Sequence, residues 1–85
     1  MNAELYKNGQ KAANVRLTIQ KGNSTNPFAR PEPDIAHIVI GSIFILAQHD
    51  DSTYQIKIDE SNFFNIHIFN TNFSDGKTTI SAYIE

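Results

Sequence analysis

The chain has 85 residues and a mass of 9.6 kDa, which allows one domain, residues 1–85, because so short a chain buries only about 60 to 65% of the surface it exposes when unfolded. Its 40% apolar content, with six Phe, three Tyr and twelve Ile, excludes a disordered chain. The absence of Cys excludes a disulfide framework, a thiol nucleophile and a Cys-based zinc site, and the net charge of −2 divides unevenly: residues 1–31 carry five cations against Glu4, residues 32–85 carry Lys57 and Lys77 against eight carboxylates.

Residues 1–9 show no basic segment followed by an apolar run, so no secretory signal and a cytoplasmic location are expected. The longest apolar stretch, residues 35–47, falls short of the roughly 20 residues of a bilayer span, and His37, Gly41 and Ser42 interrupt it. No membrane association is expected.

Asn8 followed by Gly9 predicts a two-residue hairpin turn, because both central positions of that turn need positive φ and this dipeptide accepts it. Residues 3–7 should therefore pair with the segment beginning at Gln10. Within that segment Val15, Leu17 and Ile19 alternate with Arg16, Thr18 and Gln20, the period-2 pattern of a half-buried strand. Residues 21–34 contain all three prolines and no periodicity, and read as a loop. Residues 35–48 are apolar at both alternating sets, so periodicity does not separate strand from helix. Their β-branched content favours a strand covered on both faces and bent or bulged at Gly41 and Ser42, against a buried helix capped by Asp34.

The remainder reads as a meander. Residues 53–58 place Tyr54, Ile56 and Ile58 inward; residues 63–70 place Phe64, Ile66 and Ile68 on one face and Phe63, Asn65, His67 and Phe69 on the other. After a turn over residues 72–76, residues 78–85 alternate Thr78, Ile80, Ala82 and Ile84 with Thr79, Ser81, Tyr83 and Glu85. The expected fold is all-β, a small antiparallel sandwich or partly open barrel of five or six strands, with α+β the alternative if residues 35–48 are helical. The turn-and-strand order resembles oligonucleotide-binding and small SH3-like barrels in architecture alone, and architecture hosts many functions.

Chemistry-bearing motifs are sparse. His37, His49 and His67 lie on separate elements, and only the fold could bring His67 and His49 beside Asp50 or Asp51; no metal and no cofactor are expected. The carboxylate pairs at Asp50/Asp51 and Asp59/Glu60 flank one strand and stand some 20 Å apart at about 3.3 Å per residue, too far for joint acid and base work. The loop at residues 70–77 has a calcium-loop composition without its spacing. No nucleophile motif or phosphate-cradling glycine loop is present, and an enzyme is not expected.

What remains is binding. The mixed face of Phe63, Asn65, His67 and Phe69, with Tyr83 on a neighbouring strand, combines aromatic anchors with polar groups as interface hot spots do. Phe28, flanked by Arg30 in the proline-stiffened loop, offers a further anchor. The last strand is a candidate edge through which the chain could pair with its own copy. These features predict a small non-enzymatic protein that occupies a surface on a protein partner, in concrete terms an inhibitor or immunity-type accessory protein such as a phage encodes. The alternative is a single-stranded nucleic-acid-binding β-barrel module using Lys7, Lys11 and Arg16 with the aromatic face, though five cations spread over two strands and a loop make a thin phosphate-binding footprint.

Overall fold

The computed structural model describes residues 1–23, 28, 31–46 and 50–85 and contains six strands and no helix among them: β1 (Asn2–Lys7), β2 (Gln10–Gln20), β3 (Ile35–Ile40), β4 (Tyr54–Lys57), β5 (Phe63–Ser74) and β6 (Lys77–Ile84). Asn8 and Gly9 adopt φ of 51° and 80°, the left-handed pair that a two-residue turn needs, so β1 and β2 form the expected hairpin. Asp75 and Gly76 do the same at 53° and 72°. Two residues suffice to reverse the chain there, and the turn expected over residues 72–76 is correspondingly narrower. Asn72, Phe73 and Ser74 belong to β5, paired with Thr79, Thr78 and Lys77.

The strands close into an antiparallel barrel in the order β1-β2-β3-β6-β5-β4. Two local irregularities accompany closure: Ala12 of β2 is an extra residue opposite the Leu5–Tyr6 step of β1, and Phe69 of β5 is one between Ile68 and Asn70, and such a residue bends its strand and raises its twist. Because the ring is complete, β6 lies between β3 and β5 with both of its sides hydrogen-bonded. The edge expected at residues 78–85 is therefore already occupied within the chain, and self-pairing through it has no free backbone row to use.

Each strand turns one alternating set inward: Ala3 and Leu5, Val15 and Leu17, Ala36, Ile38 and Ile40, Tyr54 and Ile56, Ile66, then Ile80 and Ala82. Burying a side chain such as Leu17, Ile38 or Ile80 contributes about 1.5 to 3 kcal/mol each, and the fold rests on this shared interior.

The run over residues 35–48 departs from expectation. Only Ile35–Ile40 is strand, its inner face buried and its outer residues Ile35, His37 and Val39 half-buried; it is not covered on both faces. The chain leaves the sheet at Gly41 and Ser42 because β3 and β4 lie on opposite walls of the six-stranded ring, and the connection has to cross the barrel mouth. Over that mouth Phe44 and Leu46 pack against the core while Ile43 and Ile45 face outward, which is why both alternating sets are apolar. Residues 47–49 lie outside the described residues.

Thr78, the one buried polar side chain among the described residues, fastens this crossing: its hydroxyl accepts a hydrogen bond from the Phe44 amide at 2.8 Å and donates to the Ser42 carbonyl at 2.9 Å. At the opposite end the ends of the β2–β3 connection are clipped together. The Gly22 amide donates to Asp34 Oδ1 at 2.9 Å, and a Cβ on Gly22 would run into the Glu32 carbonyl.

Candidate partner-binding face

The outward set of β5 and its neighbours forms a continuous wall, and it carries five of the residues expected from alternation. Phe63, Asn65, His67 and Phe69 all lie exposed on β5, and Tyr83 lies exposed on β6 directly opposite His67. The wall resolves into two aromatic pairs with Asn65 between them. Asn65 is opposite Gln55 of β4, and its Oδ1 accepts from Gln55 Nε2 at 2.9 Å.

At the first pair Phe63 meets Tyr6 edge to face, with centroids 5.1 Å apart and planes at 82°. The register makes this contact: Lys57 of β4 is opposite both Glu4 and Phe63, and Gln55 is opposite Tyr6. Lys57 Nζ stands 5.5 Å from the Phe63 ring centroid and 5.9 Å from that of Tyr6. It is also 3.9 Å from Glu4 Oε1, whose other oxygen is 2.9 Å from Lys11 Nζ. The Lys11 hydrogen bond outweighs the opposing effect of burial and, with the lesser help of the Lys11 and Lys57 charges, holds the Glu4 carboxyl below its ordinary range.

At the second pair Phe69 stacks on Tyr83, with centroids 4.4 Å apart and planes at 26°. Phe69 is the extra residue of the β5 bulge: Ile68 is opposite Ala82 and Asn70 opposite Ser81, so Phe69 has no partner of its own in the ladder and is aimed at the Tyr83 ring instead. Phe69 and Tyr83 remain 44% and 42% exposed. Beside them His67 Nε2 pairs with the Glu85 carboxylate.

His67 separates two open grooves. One, of about 510 Å³, runs between Leu46, Tyr54, Phe69 and Thr71; the other, of about 450 Å³, lies between Asp50, Asp51, Asn65 and Glu85. Their shared floor is Tyr54, whose ring is buried and whose hydroxyl donates to Asp50 Oδ2 at 2.5 Å. Hydrogen bonds from the Ser52 hydroxyl, Tyr54 and the Ser52 amide, with Lys7 Nζ 3.8 Å away, push the Asp50 carboxyl down to about 2. Burial, reinforced by Asp50, pushes the Tyr54 phenol far above its ordinary value.

The other expected positions lie elsewhere. Phe28 is exposed in the connection between β2 and β3, and its expected companion Arg30 lies outside the described residues. Of the three cations considered for nucleic acid, Lys7 sits beside Asp50 and Lys11 beside Glu4, while Arg16 lies on β2 between Asn2 and Val39. Lys7 and Lys11 stand near the hairpin turn and Arg16 at the far end of the same ladder. No group of three or more His, Asp or Glu among the described residues is placed to hold a metal ion, and His49 lies outside them. No helix among the described residues is long and apolar enough to cross a membrane.

Sequence reasoning missed Tyr6, Lys57 and Glu85 as parts of this wall. Alternation shows which residues share a strand face, but only the pairing of β1 with β4 and of β5 with β6 shows which faces meet.

The fold and the wall define a small all-β barrel that presents aromatic side chains on the outside of its sheet. Comparison with protein-family models, with curated proteins and with solved structures finds no match to the chain.

Proposed function

We propose that this chain is a non-enzymatic binding protein that works by occupying a surface on a protein partner, and that the outer wall of β5 and β6 is the face it uses. The observation that carries the reading is the Phe69–Tyr83 stack, set by a bulge and a neighbouring strand yet left more than two-fifths exposed. Aromatic side chains already fixed against each other lose little conformational freedom on binding, and with a polar surround they make the usual composition of an interface hot spot. His67, Asn65 and Glu85 supply that surround. A protein of this kind acts as an inhibitor or an immunity-type accessory protein, such as a phage encodes, because occupation of a partner's surface requires a face and no reactive group.

The test begins with capture of partners on the tagged full chain from lysate of its source, with and without nuclease, followed by affinity measurement on the purified partner. Phe69→Ala and Tyr83→Ala are each expected to weaken binding by about 1 to 4 kcal/mol with the barrel intact by circular dichroism. Unchanged affinity in both variants would remove this face. Capture that disappears on nuclease treatment, with affinity that falls steeply with salt and with neutralisation of Lys7, Lys11 and Arg16, would replace a protein partner with single-stranded nucleic acid.

A further inference from the structure

Resting on the reading of this wall as a partner-binding face, we infer that the Phe69–Tyr83 end of it receives an arginine side chain from the partner. The occupant follows from charge complementarity and from a contrast within the molecule. The Tyr6–Phe63 pair has its own cation, Lys57, lying within 6 Å of both rings, and the carboxylate next to it is matched by Lys57 and Lys11. The Phe69–Tyr83 pair has no lysine or arginine over it among the described residues. Of the carboxylates that line the two grooves, Asp50 is met by Lys7, Glu85 is paired with His67 alone, and Asp51, in the groove on the far side of His67, is exposed with no ion pair among the described residues. The second pair thus has a carboxylate beside it, as the first has, and no lysine or arginine over its rings among the described residues.

The spacing suits a guanidinium. Tyr83 and Glu85 are two residues apart, about 7 Å along an extended chain, and the bulge turns Phe69 onto the Tyr83 ring, so the stack lies about that distance from the residue that carries the carboxylate. A planar guanidinium stacks on an aromatic face and still directs paired N–H donors sideways at carboxylate oxygens, which the point charge of a lysine does less well. The charge around the two grooves favours such a guest, because Asp50, Asp51 and Glu85 line them against the single lysine Lys7.

The experiment uses the full chain labelled with ¹⁵N and titrated with N-acetyl-arginine amide, with N-acetyl-citrulline amide as the uncharged isostere. The arginine probe is expected to shift the amides of Asn65, His67, Phe69, Tyr83 and Glu85 in a saturable way, the citrulline probe to leave them in place, and the double variant Asp51→Asn, Glu85→Gln to weaken the arginine response about tenfold. Equal shifts from both probes, or a response spread evenly over Asp59 and Asp75, would overturn the inference. On the captured partner the two readings separate. Loss of affinity in Tyr83→Ala with none in the double charge variant leaves the face standing and removes the arginine, whereas no loss in either removes both.

Discussion

Two aromatic pairs stand on one wall of the barrel, some six residues apart along β5, and they differ in what surrounds them. Tyr6 and Phe63 are locked edge to face under Lys57, which with Lys11 also holds Glu4. Phe69 and Tyr83 are stacked with no such cover, beside the His67–Glu85 pair and two open grooves. The first arrangement joins three strands, β1, β4 and β5, and resembles a structural clamp. The second joins β5 and β6 alone, strands already tied together by their own hairpin, so the fold gains less from it. Similar side chains therefore do different work according to which strands they connect.

The largest effect that distinguishes the two concerns stability. Tyr6→Ala removes a half-buried ring and its contact with Phe63, and it is expected to cost about 2 to 3 kcal/mol in urea unfolding, while Tyr83→Ala is expected to cost less than about 1 kcal/mol. Equal losses, read from midpoints at an unchanged slope, would break the comparison.

A somewhat smaller loss is expected at the barrel mouth. Thr78→Val keeps the shape but strips the Phe44 amide and the Ser42 carbonyl of their partner, at about 2 kcal/mol. The crossing segment also supplies Leu46 to the groove beside Phe69, so faster amide exchange is expected at residues 42–46 and not at Tyr6 or Phe63. Exchange that rises equally in both places would mean that the crossing supports the whole barrel rather than this end of it.

Much of this molecule was legible in its sequence, and what was not has a common cause. The inward sets of β2, β4 and β6 follow from alternation, as does the shared face of Phe63, Asn65, His67 and Phe69, because strand periodicity is local. The Asn8–Gly9 hairpin was equally plain. Closure was not, because it depends on pairings such as Leu5 with Ile56 and Ile38 with Ile80, which no local pattern records. Hence β6 read as an edge. The run after Ile40 misled for a related reason: its two apolar sets suggested burial on both sides of a sheet, whereas Phe44 and Leu46 plug a mouth and Ile43 and Ile45 look outward. Lys57 was invisible as a member of the wall until register placed it beside Phe63, and Glu85, on the face of Tyr83 by alternation, had no visible partner until pairing placed it beside His67.

Acid resolves the contributions of the carboxylates. Asp50 has its carboxyl pushed from 3.8 to about 2, so the folded state binds this proton more weakly than the unfolded chain does. The stabilisation it gives is therefore complete above the unfolded value and is lost as pH falls from about 4 towards 2. Glu4 is shifted in the same direction, and its part begins to fade as pH drops below 4.5. Asp50→Asn is expected to flatten the lower part of the acid limb and Glu4→Gln the upper part. An unaltered limb in both would mean that neither cluster holds its carboxylate in solution.

The smallest change in stability tests the comparison most directly, because it makes the second pair resemble the first. His67 is exposed, lies opposite Tyr83 and is already paired with Glu85, so His67→Lys places a permanent cation where Lys57 stands in the other cluster. A cation beside exposed rings contributes about 0.5 to 1 kcal/mol, and a small rise in the urea midpoint is expected. The effect on binding should be opposite and larger. A lysine lying over Phe69 and Tyr83 and facing Glu85 occupies the place assigned to a partner's guanidinium, so the response to N-acetyl-arginine amide should be abolished while Phe63 and Tyr6 keep their amide shifts. His67→Gln, which removes the ring without adding charge, should retain the arginine response. If the lysine variant binds the probe as the native chain does, the missing cation is not what distinguishes the two ends of the wall, and the difference between them is one of strand connectivity alone.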